Sequence, residues 1–242
     1  MDVATHLTHL KDHSAALLAA YRSDPTAAVA SCPGWDRTAL LSHVARVHAR
    51  FRAQLAAGPD EYIGFKDAPL PPEGDELPEW FATGAAALVE AISVMDLDLL
   101  WPTWAGPRPG AWIPRRMAQE TALHRWDADP SSSLDGDLAA DGIDEHLTEF
   151  APRLPASPEL PDATIHLHAT DRPEGDGEWL VTLSPEGIRA ERGHAKGHVA
   201  VRATAADLLL WVWNRVEPTD EDRFQVFGEP GLLAAWARVV RF

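Results

Sequence analysis

A chain of 242 residues with 45% hydrophobic content is long enough for one large hydrophobic core or two small ones, and two domains are expected. Its 37 acidic residues against 21 basic ones give a formal charge of −16, which repels phosphate backbones and acidic membrane surfaces and argues against nucleic acid as a partner. A single cysteine, Cys32, excludes an intrachain disulfide and any zinc site built on several thiolates.

Along the first half, apolar periodicity predicts four helices. Asp2 to about Tyr21 carries Leu7, Leu10, Leu17 and Leu18; Asp36 to Leu55 carries the stripe Leu40, Val44, Val47, Phe51 and Leu55. Leu77 to Leu99 carries Trp80, Phe81, Leu88, Val89 and Ile92, and Pro114 to Asp127 forms the fourth. Punctuation separates them: Ser31-Cys32-Pro33-Gly34 before the second, Gly58-Pro59 after it, and Pro107-Arg108-Pro109-Gly110 before the fourth. An antiparallel four-helix bundle with one long connection, around residues 58 to 76, fits this pattern, as a domain over residues 1–136.

Beyond residue 137 the pattern changes, which marks a second, α/β domain over residues 137–242 and makes the chain α+β. A short helix near Ile143 to Phe150 leads through the proline-rich stretch Pro152 to Pro161 into segments of period two. Thr164 to Ala169, Trp179 to Leu183, Gly187 to Ala190 and His198 to Arg202 read as strands of a small sheet. Thr204 caps a helix through Leu208 to Trp211, Phe224 to Phe227 reads as another strand, and Gly231 to Val240 as a closing helix. No apolar run approaches the roughly 18 residues of a membrane span. Met1 to His6 lacks a basic region followed by an apolar core, so a soluble, cytoplasmic protein with no membrane partner is expected, monomeric by default.

Glu120 and His124 stand four apart in the fourth helix, about 40° and 6 Å from each other on one face. They share an arc with Met117, Thr121 and Ala128, which carries Glu120 inward, while Trp126 points elsewhere. On the second helix His43 lies at the edge of the apolar stripe and is expected to be partly inward. The three suit one metal site. Spacing alone equally allows an ordinary i,i+4 surface pair and a boundary histidine bonded to a carbonyl.

Rival groupings are less promising. His6, His9 and His13 line the first helix without an acidic partner, which suits a solvated or inter-helix face. Gly193 and Gly197 interrupt the stretch holding His194 and His198, pointing to a loop. His166 and His168 share one face of a strand, expected to be exposed. Cys32 at a helix entrance suits a small, partly buried residue better than a nucleophile.

Cys32-Pro33-Gly34-Trp35, Leu40-Leu41-Ser42-His43-Val44 and Glu120 to Asp127 together resemble the mycothiol-dependent maleylpyruvate isomerase family, whose N-terminal domain has the DinB-like four-helix fold. Ala206 to Arg215 and Val226 to Pro230 resemble that family's second domain. The resemblance implies that His43, Glu120 and His124 bind a divalent metal, usually zinc, and that mycothiol is the thiol cosubstrate. It also implies a binding or catalytic role for Arg215, a position that equally suits capping of a helix C-terminus.

Two histidines and one glutamate leave coordination positions open, which implies catalysis rather than scaffolding. A cation there lowers the pKa of a coordinated thiol, supplying a nucleophile that this cysteine-poor chain lacks. The thiolate is then expected to add to an electrophilic carbon of a small substrate, as an S-transferase if the adduct persists or as a cis–trans isomerase if bond rotation and thiol expulsion follow. A dianionic substrate needs positive charge, for which Arg215, Arg116 and Arg125 are candidates. Asp127 is placed either to orient a ligand from behind or to end the fourth helix, and Trp104, with Trp101 and Trp112, either to line the pocket mouth or to pack the core. The alternatives are a hydrolase or lyase that uses bound water, with Asp36 or Asp127 as base, and a non-catalytic binding protein on the same fold. The donor set also serves iron(II) oxygenases.

Overall fold

The computed structural model describes every residue except Glu174 and Phe242. The chain divides into two compact units, Met1–Ser132 and Ser133–Phe242. Among the described residues no helix is long and apolar enough to cross a membrane.

In the first unit four helices pack pairwise: α1 (Val3–Ser23), α2 (Arg37–Ala57), α3 (Leu77–Val94) and α4 (Trp112–Ala128). Asp2 caps α1 and Asp36 caps α2, each carboxylate accepting from the N–H three residues on, which satisfies one of the free donors of a helix start. Their apolar faces meet in a core of Leu17, Leu18, Leu40, Leu41, Val44, Leu77 and Phe81. Three expectations need correction. Leu40, Val44 and Phe51 of the expected α2 stripe are buried, but the buried face also takes in Ala45, His48, Ala49 and Gln54, whereas Val47 and Leu55 are only half-buried. Helix α3 stops at Val94 rather than Leu99: Met95 turns extended, and the chain folds back against Gly110, where a Cβ would stand 2.5 Å from the Asp96 carbonyl oxygen. There it forms a two-residue ladder, β1 (Leu100–Trp101) with β2 (Arg108–Pro109). Helix α4 begins at Trp112, ahead of Pro114, since the first turn of a helix needs no N–H from its third residue.

The long connection between α2 and α3 is anchored by α2. Gln54 donates to the carbonyls of Gly58 and Glu61 and accepts from the Ile63 N–H at 2.9 Å, while Arg50 Nε donates to Ile63 O at 2.7 Å. Arg46 Nη2 donates to Phe65 O at 2.9 Å.

The second unit opens with α5 (Gly136–Glu145), capped by Asp135 through the N–H groups of Asp137 and Leu138, and continues as a π-helical turn over His146–Phe150. The helix starts earlier than its hydrophobic signal because Ala139 and Ala140 face the core without marking a period. A five-stranded mixed sheet follows: β3 (Ala163–Ala169), β4 (Glu178–Ser184), β5 (Gly187–Arg192), β6 (Val199–Ala203) and β7 (Gln225–Gly228), in the order β5-β4-β3-β6-β7. Among the described residues only β3 and β6 pair in parallel. One face is the core, with Ile165 opposite Val181 and Leu167 opposite Trp179, all fully buried. Helices α6 (Ala205–Val212) and α7 (Leu233–Val239) complete the unit, joined by Trp211 stacked on Trp236 with ring centroids 5.4 Å apart.

Candidate metal centre

Three elements of the first unit build the centre: α2, α4 and the turn that leads into α2. In that turn Trp35 N–H donates to Cys32 O at 3.0 Å, with Pro33 and Gly34 between them and Gly34 at φ +86°. This is the geometry of a type II turn, whose third residue needs the left-handed region that glycine occupies without strain. The turn sets the Trp35 ring against His43, centroids 5.1 Å apart, and Phe65 from the long connection stands on the same imidazole at 6.2 Å. Arg37 holds the start of α2 to the ends of two other helices, donating to Ala128 O at 2.8 Å and Ala20 O at 3.0 Å.

The predicted trio converges. His43 Nε2 lies 3.2 Å and His124 Nε2 3.4 Å from the same oxygen, Glu120 Oε1, and the three donor atoms fall within 4.8 Å of one another. Four donors around a zinc ion at about 2.0–2.1 Å stand about 3.3 Å apart along the edges of their tetrahedron. Both separations match that edge, and the shorter is also within hydrogen-bond reach. The residues present therefore fit a tetrahedral cation.

Two of the three side chains, His124 and Glu120, are held from behind. His124 Nδ1–H donates to Asp127 Oδ2 at 2.8 Å, which leaves Nε2 facing Glu120. Asp127 is 2% exposed, and its other oxygen accepts from Ser31 Oγ at 2.6 Å, so the turn before α2 also fixes this carboxylate. Cys32 Sγ lies 3.9 Å from Asp127 Oδ2. Arg116 donates from Nη2 to Glu120 Oε2 at 2.6 Å, so Glu120 presents Oε1 alone to the two imidazoles. Burial opposes charge on Glu120, but His124, His43 and Arg116 hold its carboxyl well below the ordinary value. Burial likewise opposes charge on His124, yet Glu120 and Asp127 raise it to about 9.

Of the other expected site residues, Arg116 is buried and serves the Glu120 carboxylate. Arg125 turns toward α1, its Nε 3.3 Å from His13 Nδ1. Trp104 is exposed and meets Trp112 edge-on at 6.1 Å, while Trp101 and Trp112 are buried; Trp112 precedes Glu120 by two helical turns, about 12 Å. Asp36 is the N-cap of α2. Arg215 follows α6 in a Schellman turn: Asn214 takes φ +55°, the Arg215 N–H donates to Leu210 O, and the guanidinium donates to Trp213 O at 2.8 Å. On α1, His6 and His13 are buried and His9 is half-buried. The expected exposed face at His166 is a correction: His166 is 6% exposed and bonded to Glu178. Sequence reasoning missed Ser31, Trp35 and Phe65 as supports of the centre; the i,i+4 spacing of Arg116 and Glu120 was a legible signal for their pairing.

Comparison with known proteins agrees with this architecture. The family model described as the mycothiol maleylpyruvate isomerase N-terminal domain matches residues 7–129, and that described as the MDMPI C-terminal domain matches residues 137–235. A crystal structure of the mycothiol-dependent maleylpyruvate isomerase shares the fold with TM-score 0.59 at 13% identity, covering 95% of each chain. A histidine-to-alanine mutant of that enzyme gives TM-score 0.61 at the same identity and coverage. No curated protein matches the chain by sequence. With both of its units matched by the family's two domains and its fold shared over nearly the whole length, the chain belongs to the mycothiol-dependent maleylpyruvate isomerase family.

Proposed function

We propose that this protein is a metal-dependent, mycothiol-using enzyme that adds the thiol to an electrophilic carbon of a small substrate, as a cis–trans isomerase of the maleylpyruvate type or as an S-transferase. The observation that carries the reading is the pair of separations at Glu120 Oε1, 3.2 Å to His43 and 3.4 Å to His124, which match the edge of a zinc tetrahedron. Zinc suits the nitrogen and oxygen donors, and when bound it supplies Lewis-acid activation of a thiol at neutral pH.

The chain's own residues do the positioning. His43, Glu120 and His124 supply three donors, and a four-coordinate ion held by them has one position for an exogenous ligand. Asp127 fixes the His124 tautomer, and Arg116 restrains Glu120 to one oxygen. Trp35 and Phe65 give the His43 side an apolar wall, which disfavours water and accepts a carbon skeleton. A water-activating reading needs a general base, and both candidates are engaged: Asp36 caps α2, and Asp127 accepts hydrogen bonds at both oxygens. That engagement favours the thiol reading over hydrolysis.

The test is elemental analysis of tag-free wild type and His124→Ala, followed by titration with mycothiol and an isomerase assay on maleylpyruvate. About one equivalent of zinc that requires His124, with thiol binding that requires zinc, is expected. A wild-type protein that neither holds metal through His124 nor binds mycothiol would overturn the proposal.

A further inference from the structure

The second unit carries another two-histidine, one-carboxylate cluster, built on the sheet face opposite the core. His166, central in β3, places Nε2 2.8 Å from Glu178 Oε2 on β4. His194, in the loop after β5, places Nδ1 2.6 Å from that same oxygen, and its ring meets His166 edge-on at 5.1 Å. All three donor atoms lie within 4.8 Å of one another. We infer that His166, Glu178 and His194 form a second divalent-cation site, of the borderline type that takes zinc, nickel or copper.

The backbone fixes two of the ligands. In the β3–β4 register Glu178 stands opposite His168, so its side chain reaches diagonally to His166 on the same face. Gly193 N–H donates to Glu178 O at 2.9 Å, which returns the chain so that His194 arrives over the carboxylate. The chemistry also suits a cation. Among the described residues the Glu178 carboxylate pairs with imidazoles and with no arginine or lysine.

The present separations are hydrogen-bond lengths, and a bound ion must spread the donors by about 0.6 Å to reach a tetrahedral edge. His194 can supply that movement, since its side chain is 77% exposed on a loop. His168, half-buried on the same face with its ring 6.2 Å from His166, is placed to become a fourth ligand. Nitrogen and carboxylate donors select borderline divalent ions over magnesium or calcium. An ion here ties β3, β4 and the loop after β5 together.

The experiment is equilibrium dialysis of the chelator-stripped full chain against zinc alone, read by elemental analysis. Wild type is expected to take up two ions per chain at micromolar free zinc. His194→Ala, an exposed change that leaves the sheet intact, and Glu178→Gln should each retain one. Because His124→Ala should also retain one and the double variant His124→Ala/His194→Ala none, the second site is read independently of the first. Equal zinc uptake by wild type and His194→Ala, or uptake at the cluster only above millimolar zinc, would overturn the inference.

Discussion

Asp127 accepts from His124 Nδ1–H at one carboxylate oxygen and from Ser31 Oγ–H at the other. A carboxylate behind a metal-ligating imidazole fixes its tautomer and raises its basicity, and such partners carry about 10–100-fold in metal affinity. Asp127→Ala is therefore expected to weaken zinc binding by about that factor while leaving all three ligands in place, as a competition titration against a chelating dye would show. His48 gives a second prediction. It is fully buried on α2, with Nε2 2.9 Å from Thr121 Oγ1 on α4, and burial, the leading cause, lowers its pKa from 6.5 to about 4. Between those values the unfolded chain binds the extra proton, so this contribution to stability is complete above pH 6.5 and is lost as pH falls to 4. The loss is about 3 kcal/mol. Denaturant midpoints measured across that window should fall with acidity in wild type and fall less in His48→Gln.

At the scale of elements, the turn before α2 matters more than its length suggests. One short segment seats Trp35 on His43 and Ser31 on Asp127, and Gly34 sits at its tightest point with φ +86°. No heavy atom lies within 4 Å of a Cβ built there, so Gly34→Ala should cost about 1–2 kcal/mol through backbone strain alone, without a steric clash. A lower melting temperature combined with weaker zinc binding would show that strain in the turn reaches the centre; a lower melting temperature alone would show that the turn serves only the fold. The shared face of Glu120 and His124 was legible from their i,i+4 spacing, because an α-helix converts sequence spacing directly into angle and rise. The partners behind those ligands were hidden, since Ser31 and Phe65 reach the centre through loop conformations that have no sequence period.

At the scale of the molecule, the two compact units meet in sequence at Ser132 and Ser133, in a stretch where Ser131, Ser133 and Asp135 are exposed. Limited proteolysis should therefore cut between about residues 130 and 135, releasing fragments close to 1–132 and 133–242 identifiable by intact mass. Cleavage scattered through either unit, with no pause at these two fragments, would contradict the division.

The sequence by itself determined the four helices of the first unit, the change to period-two segments in the second, and the placing of Glu120 and His124 on one helix face. Helical and strand periods, caps and turn residues are local, and their physics is written in neighbouring positions. Tertiary structure alone decided that both histidines address one oxygen of Glu120, that Arg116 takes the other, and that Asp127 stands behind His124 with Ser31 on its far side. It also buried His166 on a face that period-two patterning marks as open. Register and loop closure set those distances, and they arise from packing between residues far apart in the chain, which no local pattern encodes.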